Sequence, residues 1–305
     1  MELDGHIVGI DASCFAPAAY LVDEFIQVSR CDAPDFFETT LDLCKKKKIS
    51  LVVPTIDTEL PLYAAHREDF ASVGTTVAIS APDTVEICAD KRKSHAWLVQ
   101  NGFPTVRQGC AQEVLAHPSD WSFPLIAKPC RGSASIGVLI VDSIDGLANL
   151  SKESNDLVIE EMARGDEHTV NLFVDRSGQC TCAVPHRRME VRAGEVSKGA
   201  TVKHLGMMEL VSRVAEQLPG SRGPLNVQGF LAPDSDFRIT EINARFGGGY
   251  PLAYEAGADF PRWLLEESLG RPSSPSFDGW EDGLTMLRYD VAVFLSAKEL
   301  TNSCP

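Results

Sequence analysis

Glu241 and Asn243 stand two residues apart in Ile239-Thr-Glu-Ile-Asn-Ala-Arg245. On a β-strand that spacing turns both side chains to one face. A carboxylate beside an amide oxygen suits Mg²⁺, which takes a few hard oxygen ligands and completes its shell with phosphate and water. Gln228, in Asn226-Val-Gln228, offers a third oxygen from a second short apolar run. Arg245 follows on the same side and could hold a phosphoryl group through its planar fork. The plain alternative is a polar edge strand with a local salt bridge.

Two further groups could serve the same chemistry. Lys128 ends the apolar run Phe123-Pro-Leu-Ile-Ala-Lys-Pro129, and a small-residue loop follows, Arg131-Gly-Ser-Ala-Ser-Ile-Gly137. Glycines let backbone N–H groups approach phosphate oxygens, serine hydroxyls add donors, and the lysine supplies a point charge. Gly132, Ser133 and Ser135 are the candidate donors. The loop lacks the GKS/GKT ending of a Walker A loop and the spacing of a dinucleotide fingerprint. Taken alone, it also fits a plain hairpin. The second group is Val158-Ile-Glu-Glu-Met-Ala-Arg-Gly-Asp-Glu167, where Glu160 and Glu161 end a strand and Glu167 follows. These acids could accept from an adenine amino group and ribose hydroxyls, or simply form a solvated acidic turn.

Elements must hold these groups together. Through the first ninety residues, short apolar runs alternate with amphipathic stretches. Strands are expected at His6 to Ile10, Phe25 to Val28, Ile49 to Val53 and Thr75 to Ile79, with helices at Asp35 to Lys47 and Leu60 to Phe70. This alternation predicts a parallel sheet faced by helices. From Phe123 the pattern becomes strand, loop, strand. Further strands are expected at 157–160, 169–174, 181–184, 226–231 and 237–243, and helices at 206–218 and 260–269.

Composition narrows the class of partner. The 305 residues are 44% hydrophobic and 23% charged, with a formal charge of −15. An acidic surface repels nucleic acid and anionic lipid and favours a small-molecule substrate. The one basic cluster, Lys45 to Lys48, ends an expected helix, where cations complement the macrodipole. Nine cysteines with no CxxC pair read as reduced thiols. The N-terminus has no apolar signal core, and no stretch is long and apolar enough to span a bilayer. A cytoplasmic protein is therefore expected.

In order and spacing, these motifs resemble the ATP-grasp superfamily, and within it the branch like the carbamoyl-phosphate-synthetase large subunit. Asp90-Lys91, a helix and Asn101-Gly-Phe-Pro104 resemble that family's entry into the ATP-grasp domain. The Lys128 run and its loop resemble the phosphate-gripping lid, VIEEMARGDE the adenine-ribose hinge, and NVQGF with ITEINARFGGGYP the metal-binding strands. The resemblance implies an α/β fold: a Rossmann-like domain over 1–88, then an ATP-grasp domain over 89–305 with a lid at about 110–160 and an α+β body. The N-terminal domain would lack its first strand-helix unit. Without it, His6 to Ile10 and Ile49 to Val53 either pair directly or leave strand edges that seek another chain, and self-association as a homodimer is expected.

The resemblance also implies roles. Lys91 and Lys128 match nucleotide-contacting positions, Glu160 and Glu167 the acids near adenine and ribose, and Glu161, Met162 and Ala163 the hinge backbone. Gln228, Glu241 and Asn243 match the metal positions, with Mg²⁺ or Mn²⁺ as the ion, and Arg245 the phosphoryl contact. Arg188, Arg192 and Lys198 lie where such enzymes often place acceptor- or phosphate-binding cations. The implied activity is an ATP-dependent, ADP-forming ligation that activates a carboxylate as an acyl phosphate for attack by an amine. The alternatives are phosphorylation of bicarbonate or carbamate, or a non-catalytic ATP-binding module.

Overall fold

The computed structural model describes residues 5–132, 135–153 and 156–296. The N-terminal part contains β1 (Val8–Asp11), β2 (Glu24–Gln27), α1 (Phe36–Lys47), β3 (Leu51–Val52), α2 (Leu60–Ala65), α3 (Arg67–Ser72) and β4 (Thr76–Val77). β1 pairs with β2, and β3 with β4, both in parallel. A single 3₁₀ turn at Pro17–Tyr20 carries the chain from β1 to β2. Phe36, Tyr63 and Phe70 form the buried centre of this part. Lys45, Lys46 and Lys47 occupy the last turn of α1, as the macrodipole reading expects, and Lys48 closes it in the left-handed conformation.

Two expectations for this part are corrected. The single helix over 60–70 is broken at His66, whose backbone leaves helical geometry between α2 and α3. Its ring stacks on Phe37 at 3.9 Å instead, so a tertiary contact interrupts the helical pattern. Not every cysteine is a thiol: Cys14 is disulfide-bonded.

Next come α4 (Pro82–Ala89), α5 (Lys91–Gln100), β5 (Gln108–Gly109), α6 (Ala111–Ala116), β6 (Leu125–Pro129), β7 (Leu139–Val141), α7 (Ile144–Glu153) and β8 (Leu157–Glu161). The four strands form an antiparallel sheet in the order β5-β8-β6-β7. Val114, Leu125, Leu147 and Ile159 fill the layer between this sheet and its helices.

The body follows: β9 (Asp166–Val174), β10 (Cys180–Arg192), β11 (Glu195–Thr201), α8 (Leu205–Gln217), β12 (Gly223–Leu231), β13 (Phe237–Asn243), α9 (Tyr250–Glu255), α10 (Phe260–Ser268) and β14 (Thr285–Leu287). Its six strands run antiparallel in the order β13-β12-β9-β10-β11-β14. Met207, Met208, Val211 and Val214 of α8 pack with Leu172, Val184 and Val227 of the sheet in the largest core. β10 extends eight residues past the expected strand end at Val184, and β11 and β14 were not foreseen. The charged, glycine-bearing stretch 187–199 carries little apolar alternation, so its pairing is dictated by the hairpin rather than by burial.

Candidate active site

A cleft opens between the two antiparallel sheets. One wall carries Ile126 and Lys128 of β6 with Glu160 and Glu161 of β8; the other carries Glu167, Gln228, Phe230 and Glu241 of β9, β12 and β13. Met162 and Ala163 line it where the chain crosses from one sheet to the other. The crossing is tight at Gly165, which has φ +98°, and a Cβ there would lie 2.0 Å from the Leu231 carbonyl oxygen. Only glycine fits both demands. Apolar surfaces from Ile126, Met162 and Phe230 beside polar groups suit a flat heterocycle with a charged tail.

On the β6–β8 wall, Lys128 Nζ lies 2.8 Å from Glu160 Oε2, with the two side chains only 10% and 5% exposed. Gln108 Nε2 donates to the other Glu160 oxygen at 2.8 Å. Lys91 Nζ donates to the Gly132 carbonyl at 2.9 Å and stands 3.7 Å from Glu241 Oε1. Gly132 and Ser135 line the same cleft. Ser133 lies outside the described residues.

The metal-type positions owe their direction to an irregularity. In the β12–β13 pairing, Gln228 opposes Glu241 but Gly229 opposes Ile239, so Thr240 is an extra residue. This bulge re-phases the strand. Ile239 and Ile242, three apart, are both fully buried on the core side. Glu241 faces the cleft and Asn243 the smaller cavity beside it, with Asn226 directly opposite Asn243. Asn243 Nδ2 donates to Asn226 Oδ1 at 3.1 Å, which leaves Asn243 Oδ1 as a free acceptor among the described residues. One carboxylate and one oriented amide oxygen fit the hard oxygen donors that Mg²⁺ takes. Gln228 Oε1 already accepts from Arg188 Nη1 at 3.2 Å.

A smaller polar cavity continues from this end, lined by Arg188, Glu195, Asn243, Arg245 and the backbone of Gly247 to Gly249. Arg245 makes a two-pronged pair with Asp57 of the N-terminal part. Burial alone would lower the Arg245 pKa, but the Asp57 pair and the nearby acids Glu241 and Glu195 outweigh it and raise it. Arg188 Nε stands 3.3 Å from Glu167 Oε1, and Arg188 Nη2 donates to the Gly194 carbonyl at 2.8 Å. Burial raises the Glu167 pKa, against the opposing pull of Arg188. Beneath the glycines, burial pushes the His186 pKa down to about 3, so the ring is neutral.

The structure thus brings together Lys91, Lys128, Gly132, Ser135, Glu160, Glu161, Met162, Ala163, Glu167, Gln228 and Glu241 in one cleft, and Asn243 and Arg245 in the adjoining cavity. It does not bring Arg192 or Lys198 there. Arg192 pairs with Asp290 and Lys198 with Glu190, and the two cations are 55% and 49% exposed. The β10–β11 register explains this: Arg188 projects inward, while the bulge between Arg188 and Val191 shifts the later residues out of phase. Asp57 and Glu195 were missed. Nothing in the run Pro54-Thr-Ile-Asp57 marks a partner for Arg245, and nothing in Val191-Arg-Ala-Gly-Glu195 sets Glu195 apart from the cations around it.

A family model described as an ATP-grasp domain matches residues 88–249, and one described as a PylC-like N-terminal domain matches residues 1–78. The chain is 24% identical over 260 residues to formate-dependent phosphoribosylglycinamide formyltransferase of Synechococcus sp. (strain WH7803), covering 80% of this chain and 65% of the relative. It is 24% identical over 194 residues to D-alanine–D-alanine ligase of Streptomyces coelicolor, covering 55% and 50%. The chain therefore spans roughly half to two-thirds of the length of these curated relatives. Among solved structures, the biotin carboxylase domain of Hydrogenobacter thermophilus 2-oxoglutarate carboxylase, in complex with MgADP, ADP and bicarbonate, superposes with TM-score 0.74 at 17% identity, covering 91% of this chain and 67% of that one. N5-carboxyaminoimidazole ribonucleotide synthetase of Thermotoga maritima superposes with TM-score 0.63 at 17% identity, covering 89% and 71%. At these identities the likeness is one of fold.

Proposed function

The chain belongs to the ATP-grasp family, and from that membership we propose that it is an ADP-forming ligase that activates a carboxylate as an acyl phosphate for attack by an amine. The observation that carries this reading is the continuity of the two cavities. The cleft holding Lys91, Lys128 and Glu160 runs into the cavity holding Arg188 and Arg245, and Gln228 and Glu241 line both. A nucleotide in the first would present its terminal phosphate to an acid in the second.

The nucleotide base lies against Ile126, Met162 and Phe230, with the Glu161 to Ala163 backbone along its edge. Lys128 and Lys91 hold phosphate oxygens, joined by Gly132 and Ser135. Glu241 and Asn243 would hold Mg²⁺, which would supply positive charge beside the phosphates. Arg245 and Arg188 orient the acid. An oxygen of the substrate carboxylate attacks the γ-phosphorus, and the bond to the β-phosphate oxygen breaks to release ADP. The amine then attacks the acyl carbon, loses a proton, and inorganic phosphate leaves. Positioning and electrostatics supply the rate, with no side-chain nucleophile. The parallel pairs at the N-terminal end leave strand edges that a second copy could cover, which sedimentation at micromolar concentration would show.

The test is a screen of carboxylic acids for ADP release, with hydroxylamine as the nucleophile. The right acid yields a hydroxamate together with ADP and phosphate. Formation of AMP and pyrophosphate would make the reaction an adenylation and reject this reading.

A further inference from the structure

Four charged side chains line the polar cavity beside the metal strand: Arg188, Glu195, Glu241 and Arg245. Three have a partner. Arg188 is 3.3 Å from Glu167, Arg245 is 2.6 Å from Asp57, and Glu241 is 3.7 Å from Lys91. Glu195 alone has no cation within 4 Å among the described residues. The neighbouring Arg288 guanidinium donates instead to the Gly248 carbonyl at 2.6 Å.

The backbone is shaped around this carboxylate. A Cβ on Gly248 would lie 1.6 Å from Glu195 Oε2, so the acid rests directly on a glycine surface. Below the same glycine run, the amide oxygen of Asn171, a residue 1% exposed, has no hydrogen-bond partner among the described residues and would lie 3.2 Å from a Cβ on Gly247. An unpaired carboxylate in a partly enclosed polar cavity is complementary to a group that carries charge and donors, and an ammonium carries three donors and no acceptor.

We infer that Glu195 is a specificity residue that receives a protonated amine of the substrate, next to the carboxylate held by Arg188 and Arg245. This rests on the acyl-phosphate reading above. The amine belongs either to the acid that is activated, making that substrate zwitterionic, or to the incoming nucleophile before it loses its proton.

The experiment uses the full chain and its Glu195→Gln and Gly248→Ala variants. Gly248→Ala keeps the charge but displaces the carboxylate. With a non-hydrolysable ATP analogue and Mg²⁺ present, thermal shifts are measured for the common amino acids, the matched acids lacking the amino group, and the matched amines lacking the carboxylate. At least one amine-bearing compound should raise the melting temperature of the wild type. Both variants should weaken its apparent affinity tenfold or more. Response to amino acids but not to simple amines assigns the ammonium to the acid; response to simple amines assigns it to the nucleophile. The inference is overturned if no amine-bearing compound shifts the wild type, if the acids lacking the amine bind as well, or if Glu195→Gln binds with unchanged affinity. The ligation reading is judged separately, by ADP and hydroxamate formation.

Discussion

Arg245 and Asp57 meet across 188 residues of sequence, with Nε donating to Oδ1 at 2.8 Å and Nη2 to Oδ2 at 2.6 Å. This pair fastens the N-terminal part to the strand end that carries Glu241 and Asn243. Arg245 also donates through Nη1 to the Phe246 carbonyl at 2.8 Å, so its guanidinium plane is fixed on both sides. A bidentate partner sets the orientation of an arginine as well as its place.

Asp57→Asn should therefore act on turnover more than on nucleotide binding. Asparagine keeps the volume but loses the charge and one acceptor. The expected outcome is a fall in kcat for ADP release of about tenfold, equivalent to about 1.4 kcal/mol, with KM for ATP held within about twofold. Steady-state kinetics at saturating Mg²⁺ would read the split. Unchanged kcat would reduce the pair to a tether.

Glu241→Gln tests the metal strand. The substitution keeps size and polarity and leaves buried Ile239 and Ile242 untouched. Turnover should drop about a hundredfold or more, on the order of 3 kcal/mol, and the Mg²⁺ requirement should rise. Exposed Glu255 lies on α9, outside the cleft, and Glu255→Gln should change little. Near-normal turnover of folded Glu241→Gln at limiting Mg²⁺ would make the strand structural.

Much of this site was legible because its chemistry is local. Glu241 and Asn243 share a strand, and Lys128 precedes its own loop, so short spacings carried the information. The alternation of apolar runs likewise marked β6, β8, β12 and β13. What the sequence hid is long-range or irregular. Asp57 acquires its role only through tertiary contact with Arg245. The Thr240 bulge explains why apolar Ile239 and Ile242 are three apart, but an odd spacing alone does not identify its cause. The Arg188-to-Lys198 stretch was read as one cationic group. Pairing in the β10–β11 hairpin separates it, with Arg188 turned inward at 7% side-chain exposure and the other two turned to solvent.

Lys128 and Glu160 form a buried pair whose two halves can be separated by mutation. Lys128→Met removes the cation and leaves the Glu160 carboxylate facing a largely desolvated wall, with Gln108 as its remaining donor. The expected cost is about 3 kcal/mol of stability, because an uncompensated buried charge is worse than no charge. Adding Glu160→Gln should restore most of that stability. It should not restore ATP affinity, since the cation proposed to face phosphate is still missing. Urea denaturation and titration with an ATP analogue would separate the two effects. Recovery of both together would mean that Lys128 is structural only.

The buried imidazole of His186 makes the fold sensitive to acid. Burial, with the Arg188 charge as a smaller contribution, lowers its pKa from 6.5 to about 3. The unfolded chain then binds a proton that the native state refuses, so the stabilising difference is fully present above pH 6.5 and is lost as pH falls from there toward 3. The slope approaches about 1.4 kcal/mol per pH unit. His168, also pushed down by burial, acts in the same direction. Glu59, Glu167 and Glu267, raised by burial, act in the opposite direction, since their contribution is present at low pH and fades as pH rises through their native values. Comparison with His186→Gln isolates the histidine. Urea midpoints between pH 7 and pH 4.5 should fall more steeply in the wild type than in the variant. Parallel lines would show that His186 takes up its proton in the native state and that the ring is not held neutral.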